Sequence, residues 1–250
     1  MRSDPPPTRR RLLSSSAALA IGTLVGPWLV PAQGATRHKH SRPRRRSRST
    51  SPQKEVTATE DLMREHGVLR RALLVYTQTV TTLRKRPEVV PPDAHNKTAQ
   101  LFRTFGQDYH ERKLEEAFIF PDLQQAGSPA VPLVEILAAQ HQRGRDITDY
   151  ILGATRTGPI NAKNANTLAR ALESLVLMYR NHAAREDTIV FPAWKKALSP
   201  EQLRDRSENF ESIEHQQFGA DGFDDAVRQI ADIERSLGFA DLAQFTAPPL

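Results

Sequence analysis

Two segments of the chain read almost alike: Glu115-Glu116-Ala117-Phe118-Ile119-Phe120-Pro121 and Glu186-Asp187-Thr188-Ile189-Val190-Phe191-Pro192. Each follows a histidine by about one helical turn. His182 and Glu186 stand four residues apart, so both side chains lie on one side of an ideal helix and can bind one metal centre. His110 and Glu115 form the second pair, five residues apart. A His–Glu pair made twice at helical spacing predicts a metal site between helices.

Apolar residues recur at alternating steps of four and three along much of the chain, which predicts amphipathic helices. The expected helices span about residues 59–86, 94–119, 130–153 and 162–190, with two shorter C-terminal helices at about 200–218 and 223–236. Thr57 and Glu60 form a capping box before the first helix, and the residues from Ser199 form another before the fifth. Pro121 and Pro192 are expected to end the second and fourth helices.

The chain also repeats itself. The interval is 75 residues from His66 to His141 and 72 from His110 to His182, so helices one and two correspond to helices three and four. Two similar hairpins pack as an up-down four-helix bundle. The sequence therefore predicts an all-α fold of this kind with one or two extra C-terminal helices.

The four helices of the bundle each place a histidine among apolar residues. One such histidine is more often a hydrogen-bonded core residue than a metal ligand. Four successive helices that each supply one, two of them with a glutamate nearby, favour a ligand set. An unsatisfied buried polar group costs about 1–3 kcal/mol, which bound cations would remove. The candidate metal ligands are His66, His110, Glu115, His141, His182 and Glu186.

The chain has no cysteine, so any metal is held by nitrogen and oxygen. Imidazoles with carboxylates fit iron, manganese, zinc or cobalt, whereas calcium and magnesium prefer more oxygen ligands. Two carboxylates lying between two groups of histidines are suited to bridging. The composition of the site thus favours a dinuclear centre.

These motifs resemble the hemerythrin-like (HHE cation-binding) family, whose members are four-helix bundles with a non-haem di-iron centre. The resemblance covers about residues 58–193. It rests on Glu65-His66, Tyr109-His110-Glu111, Gln140-His141, His182-x-x-x-Glu186 and the two Phe-Pro endings. It implies two iron ions per chain, with manganese or zinc as alternatives. It also implies imidazole ligands at His66, His110, His141 and His182, and bridging carboxylates at Glu115 and Glu186.

Two features depart from the family pattern. His110 and Glu115 are five residues apart instead of four, which places them about 140° apart on an ideal helix. A π-bulge between them would restore alignment; otherwise Glu111 or Glu116 would coordinate, and Glu116 fits the apolar stripe better. Oxygen-carrying members use five histidines, whereas four are placed here; His215 is expected to be a surface or packing histidine, and the alternatives are that it caps the open end of the site or supplies a fifth imidazole. Fewer protein ligands favour redox reactivity over reversible carriage.

Other residues carry secondary expectations. Glu65 and Asp187, each adjacent to a candidate ligand, are expected to accept hydrogen bonds from imidazoles. The four tyrosines of the chain, Tyr179 among them, are expected to pack, with their hydroxyls on a partner or in water. His95, at the start of the second helix, is expected to lie in solvent.

The N-terminal residues read as an export signal followed by a tether. Thr8-Arg9-Arg10-Arg11-Leu12-Leu13 opens an apolar run to about Val30, which resembles a twin-arginine signal over residues 1–34, with cleavage near Gly34 or Ala35. Residues 35–56 are basic and poor in apolar side chains, as expected of a disordered linker. Residues 57–236 would then form the bundle, and 237–250 a loose tail.

The formal net charge of +6 belongs to the N-terminus. Residues 1–34 carry four arginines and one aspartate, and residues 35–56 carry eight basic residues and one glutamate. Residues 57–250 carry 23 basic and 27 acidic residues, and the arginine run lacks interleaved aromatic residues. This pattern argues against nucleic-acid binding and leaves a membrane surface or cell wall as contacts for the linker.

The sequence therefore predicts a periplasmic or otherwise extracytoplasmic di-iron protein that binds or reduces a small molecule such as dioxygen, peroxide or nitric oxide. The alternative is a non-catalytic module that holds iron or senses oxygen. Nothing in the sequence decides between an enzyme and a binding protein.

Overall fold

A computed structural model describes residues 56–156, 158–219 and 221–249. Every regular element in these ranges is helical, which confirms the predicted all-α class. The helices, with the labels used below, are α1 (Ala58–Lys85), α2 (Pro92–Leu101, then π-helical Phe102–Ile119, then α-helical Phe120–Gln125), α3 (Val131–Thr155), α4 (Ala162–Arg185, then π-helical Glu186–Val190, then α-helical Phe191–Ala197), α5 (Pro200–Phe218) and α6 (Gly222–Ser236). Within these ranges we find no helix with the length and apolar character needed to cross a bilayer.

The expected export signal over residues 1–34 and nearly all of the linker over 35–56 lie outside the described residues. At the other end of the chain, Leu242–Phe245 form a short 3-10 helix with no buried residue. The domain limits at 56 and 236 stay predictions.

Both predicted capping boxes are present. At the start of α1, the Glu60 backbone N–H donates to Thr57 Oγ1 over 3.3 Å, and the Thr57 N–H donates to Glu60 Oε2 over 2.9 Å. Ser199 and Gln202 make the same exchange at the start of α5. Each box satisfies two backbone donors that a helix N-terminus would otherwise leave without partners.

Helices α1 to α4 form the predicted up-down bundle. α1 packs against α4 and α2, while α3 packs against the same two helices from the other side. The connections, over residues 86–91, 126–130 and 156–161, are short enough to keep successive helices antiparallel. α5 and α6 lie outside the four and contact α1 and α2.

Pro121 does not end α2, contrary to expectation, since the helix continues to Gln125. The N–H of Phe120, just before the proline, donates to the carbonyl of Glu115, five residues back. A proline in an α-helix removes one hydrogen bond, and its ring clashes with the carbonyl four residues earlier. The wider π turn accommodates both effects, so the helix passes the proline without a break.

Pro192 repeats this arrangement in α4. The N–H of Phe191 donates to the carbonyl of Glu186, and the helix continues to Ala197. The second expected helix end was therefore wrong for the same reason as the first. Both Glu-x4-Phe-Pro segments encode a π turn that begins at a glutamate.

The end of the bundle beyond these prolines is closed by α5. Trp194 is fully buried, stacks on Phe210 with ring centroids 5.8 Å apart, and donates its Nε1–H to Asp122 Oδ2 over 3.0 Å. Arg206 binds both oxygens of Asp122, at 2.9 and 2.6 Å. These contacts exclude water from one end of the bundle interior.

Candidate metal centre

The four candidate histidines lie at one level of the bundle, each on a different helix, and all are buried. Their Nε2 atoms form two pairs. His66 Nε2 lies 3.0 Å from His110 Nε2, and His141 Nε2 lies 3.1 Å from His182 Nε2. The level lies in the N-terminal half of α1 and α3 and just past the midpoint of α2 and α4.

Glu115 spans the two pairs. Its Oε1 lies 3.3 Å from His110 Nε2, and its Oε2 lies 3.2 Å from His141 Nε2. The side chain is completely buried. One carboxylate therefore offers an oxygen to each histidine pair.

Glu186 does the same from α4, the helix diagonally across the bundle from α2. Its Oε1 lies 2.9 Å from His182 Nε2, and its Oε2 lies 3.5 Å from His66 Nε2. All six candidate ligands are thus brought together around one point of the bundle axis, with the two carboxylates between the two pairs of imidazoles.

The four oxygens of Glu115 and Glu186 are buried, and their nearest polar neighbours are imidazole Nε2 atoms 2.9–3.5 Å away, which are not aligned for good hydrogen bonds. Two buried carboxylates in this condition are costly for a folded protein. Two cations would satisfy them, each bound by two imidazole nitrogens and by one oxygen from each glutamate. The residues present therefore fit a dinuclear centre with nitrogen and oxygen ligands.

The π-helical part of α2 brings Glu115 into the centre. In a helix with i→i+5 hydrogen bonds, residues five apart lie about one turn apart. His110 and Glu115 consequently share a face, as the expected π-bulge would require, although the observed π-helical segment is much longer than a bulge. The stripe that favoured Glu116 assumed an α-helical period, which does not hold here.

Glu116 and Glu111 have other partners. Glu116 Oε1 accepts from His141 Nδ1 over 2.9 Å and from Arg145 over 2.9 Å. Glu111 Oε1 accepts from the Tyr179 hydroxyl over 2.7 Å. Both carboxylates thus lie around the centre, hydrogen-bonded to its neighbours.

Each imidazole has an oxygen partner at the nitrogen that faces away from the centre. The Nδ1 pairs are His66 with Asp187 at 2.7 Å, His110 with Glu65 at 2.6 Å, His141 with Glu116 at 2.9 Å and His182 with Gln140 at 2.9 Å. An acceptor at Nδ1 keeps the proton there and leaves the Nε2 lone pair for a metal.

Two of these partners were expected from the sequence and two were missed. Glu65 and Asp187 were named because each is adjacent to a candidate ligand. Glu116 and Gln140 are adjacent to ligands in the same way, so the same rule would have found them. The rule does not say which imidazole is oriented, since Glu65 directly precedes His66 on α1 but accepts a hydrogen bond from His110 on α2.

The charges of the site shift the pKa values of its members. Burial alone would lower the pKa of His110, but the carboxylates of Glu115 and Glu65 raise that pKa well above its usual range. The pKa of His141 is also raised well above its usual range, against burial, by Glu111, Glu115 and Glu116. Without metal, imidazolium cations would therefore take the place of metal charge beside the carboxylates.

A small cavity of about 10 Å³ lies against the centre, between α1, α2 and α4. Leu69, Leu73 and Ala183 line it together with Tyr179 and the imidazole of His66. A volume of this size admits about one water molecule. Only a very small exogenous molecule fits beside the candidate ligands without movement of the surrounding side chains.

A buried polar network lies on one side of the cavity. Tyr179 is buried as expected and donates its hydroxyl hydrogen to Glu111, while Gln107 donates to the Tyr179 oxygen over 3.2 Å. Gly144 on α3 leaves room for the tyrosine, because a Cβ there would lie 2.0 Å from the hydroxyl oxygen. Burial raises the pKa of Glu111.

The phenylalanines of the two Phe-Pro segments pack on the imidazoles. Phe120 stacks on His141, with centroids 5.6 Å apart and planes within 13°. Phe191 lies 5.3 Å from the ring of His66. Each segment thus supplies a glutamate to the centre and, one π turn later, an aromatic ring that covers a histidine from the closed end of the bundle.

The remaining histidines of the described residues take no part in the centre. His95 is fully buried, contrary to expectation, with its nitrogens 2.8 Å from Thr79 Oγ1 and 3.0 Å from the Pro91 carbonyl. Burial lowers the pKa of His95, as for a neutral core histidine. His215 is exposed on α5 and belongs to none of the candidate ligand groups in the described part of the chain.

Comparison with known families agrees with this architecture. The model of the Hemerythrin HHE cation binding domain matches residues 57–194, more than half of the chain. The protein belongs to the hemerythrin HHE cation-binding domain family.

Its curated relatives include a protein of Mycobacterium bovis and proteins of two Mycobacterium tuberculosis strains, each named only as uncharacterized. Each is 46% identical over 200 residues, which cover 79% of this chain and 77% of the relative. No solved structure matches this chain.

Proposed function

We propose that the protein is an exported non-haem di-iron protein that binds or reduces a small molecule such as dioxygen, peroxide or nitric oxide. The observation that carries the proposal is the group of four buried carboxylate oxygens without well-aligned hydrogen bonds, each 2.9–3.5 Å from an imidazole Nε2 atom. Glu115 and Glu186 would bridge two ions. His66 and His110 would complete one position, and His141 and His182 the other.

Iron is the metal of choice for this site, with manganese or zinc as alternatives, because the donors are imidazoles and carboxylates without sulfur. Bound iron would supply one-electron chemistry and coordination positions that the protein leaves free. Four imidazoles and two shared carboxylates give each ion four protein donor atoms. That number leaves room for an exogenous ligand at either ion.

The surroundings of the site favour a ligand of very few atoms. The cavity of about 10 Å³ is lined on one side by Leu69, Leu73 and Ala183. Phe120 and Phe191 cover the imidazoles of His141 and His66 at the closed end of the bundle, so a ligand would approach from another direction. Tyr179 and Glu111 stand on the polar side, where they hold a hydrogen bond close to the ligand space.

Iron analysis and the optical spectrum of the aerobically purified full chain test the metal assignment. We expect about two iron ions per chain, and His182→Ala should lose iron and unfold at a lower temperature. An iron-free protein whose melting temperature is unchanged by His182→Ala would contradict the proposal. If iron is present, consumption of peroxide or nitric oxide would support an enzyme, and binding without turnover would support the iron-holding or oxygen-sensing alternative.

Export by the twin-arginine route is a separate part of the proposal and rests on Thr8-Arg9-Arg10 and the apolar run that follows. This route carries folded proteins, which suits a site that must be assembled with metal. The mature protein should be extracytoplasmic and should begin near Gly34 or Ala35. Replacing both Arg9 and Arg10 by lysine should retain it in the cytoplasm, and unchanged fractionation would contradict this part.

A further inference from the structure

The four imidazoles differ in the residue that accepts a hydrogen bond from their Nδ1 atom. Three of the Nδ1 partners are carboxylates, namely those of Glu65, Asp187 and Glu116, and the fourth is the neutral amide oxygen of Gln140. The two histidine pairs are therefore not equivalent. In the text below, position A is the one between His66 and His110, and position B is the one between His141 and His182.

We propose that the two metal positions have unequal affinities and that position A fills first; this inference rests on the proposed dinuclear site. At position A, both imidazoles donate to carboxylates. A carboxylate partner makes an imidazole a stronger base and fixes its orientation, and loss of such a partner typically costs about 10–100-fold in metal affinity. At position B, the Gln140 amide oxygen fixes the orientation of the His182 ring, but it carries no negative charge that would make the imidazole a stronger base.

The arginines next to the partners increase the difference. Arg145 Nη1 lies 2.9 Å from Glu116 Oε1, the same oxygen that accepts from His141, so the two donors share one acceptor. Arg70 also pairs with Asp187, but through Oδ2, while His66 uses Oδ1. Glu116 is therefore a weaker acceptor for His141 at position B. Asp187 binds Arg70 through its other oxygen, so Oδ1 accepts from His66 alone.

The shared ligands do not favour position A, because their oxygens lie 3.3 and 3.5 Å from the imidazole nitrogens there and 2.9 and 3.2 Å from those of position B. Glu115 and Glu186 each give one oxygen to each position, at distances of 2.9–3.5 Å from the imidazole nitrogens. Each position also has two imidazoles on neighbouring helices. The difference in metal affinity therefore comes from the residues that accept hydrogen bonds from the histidines, and above all from Gln140, which is neutral where the other three partners are carboxylates.

Calorimetric titration of the metal-free full chain with Zn²⁺ tests the proposal without any assay of activity. We expect two binding steps whose dissociation constants differ by about tenfold or more. Glu65→Gln should weaken the first step by about tenfold or more, and Gln140→Glu should strengthen the second by a similar factor, since both exchange a carboxylate with an amide. Gln142→Glu, the same change at an exposed residue two positions along α3, should move neither step.

Two further variants identify the position that fills first. His182→Ala should keep the tight step and lose the weak one, while His110→Ala should lose the tight step. The opposite pattern, two equal steps in the unchanged chain, or no effect of Gln140→Glu and Glu65→Gln in proteins that still fold by circular dichroism would overturn the inequality. Two equal steps would leave the dinuclear site standing, whereas absence of any Zn²⁺ binding would contradict the proposed function itself.

Discussion

The substitution Glu186→Gln tests whether Glu186 bridges two metal ions or only packs in the core. The substitution keeps the shape of the side chain and removes its charge. Glu186 offers one oxygen to each metal position, at 2.9 Å from His182 Nε2 and 3.5 Å from His66 Nε2. The glutamine amide keeps one oxygen and replaces the other by an NH2 group, so one cation would lose a protein donor atom and both would lose the negative charge between them.

The magnitude follows from binding linkage. A cation at 100 times its dissociation constant stabilises the fold by about 2.7 kcal/mol, so two contribute about 5 kcal/mol. In a domain of this size 1 kcal/mol shifts the melting temperature by about 2–4 °C, which gives about 10–20 °C between metal-loaded and chelator-treated protein. We expect Glu186→Gln to reduce this gap to less than half and to lower the metal content to one ion per chain or fewer.

The metal-free protein should respond differently. In chelator, Glu186 faces only the imidazoles of His182 and His66, so removal of its charge should lower the melting temperature less than it does in the metal-loaded protein. Glu208→Gln, the same change at an exposed residue of α5, should alter neither temperature. The assay is thermal unfolding by circular dichroism with and without chelator, together with metal analysis. An equal fall in both conditions, or two ions retained with the full gap, would refute the bridging role.

Three other perturbations have definite expected outcomes. Gly144→Ala places a Cβ 2.0 Å from the Tyr179 hydroxyl and should cost about 1–3 kcal/mol in urea unfolding, whereas Gly153→Ala in the same helix meets nothing within 4 Å and should be neutral or stabilising. Tyr179→Phe removes the hydroxyl that donates to the buried carboxylate of Glu111 and should lower the free energy of unfolding by about 1–3 kcal/mol in the same measurement. An unchanged free energy of unfolding would mean that this hydrogen bond does not stabilise the fold. Metal affinity should rise with pH: although burial alone would lower the pKa of His110 and of His141, neighbouring carboxylates raise both, so a cation must displace their protons. The apparent dissociation constant for Zn²⁺ should fall by about tenfold per pH unit for each proton displaced, and a pH-independent constant near neutrality would contradict this.

Much of the architecture could be predicted from the sequence because it depends on local patterns. Stripes at helical spacing, capping boxes and a repeat of about 70–75 residues are visible in the chain itself. The repeat also placed the histidines on four helices, so their convergence followed from the pairing of two hairpins. These features do not depend on how any one side chain packs.

The π turns could be read from the sequence only in part. A five-residue gap between His110 and Glu115 indicated that an ideal α-helix would not serve, but Pro121 and Pro192 were taken as helix ends. A proline signals a missing donor and a steric conflict, and the chain can resolve these either by ending the helix or by widening a turn. Which solution is adopted depends on packing of the following segment, here on the burial of Trp194 against α5.

The partners behind the ligands and the burial of His95 were harder to predict for a related reason. An adjacent polar residue on a helix points about 100° away from the ligand, so it reaches an imidazole on a neighbouring helix. Its partner depends on the order of helices around the bundle. His95 was expected in solvent because it begins a helix, yet α6 packs over that end of α2.

The central claim is that two cations lie between the four imidazoles and share two carboxylates. The most direct test is anomalous diffraction at the iron edge from crystals of the iron-loaded protein. We predict two peaks about 3.5–4 Å apart, one next to His66 and His110 and the other next to His141 and His182, with Glu115 and Glu186 between them. A single peak, no peak in this part of the bundle, or peaks that leave either glutamate uncoordinated would contradict the account.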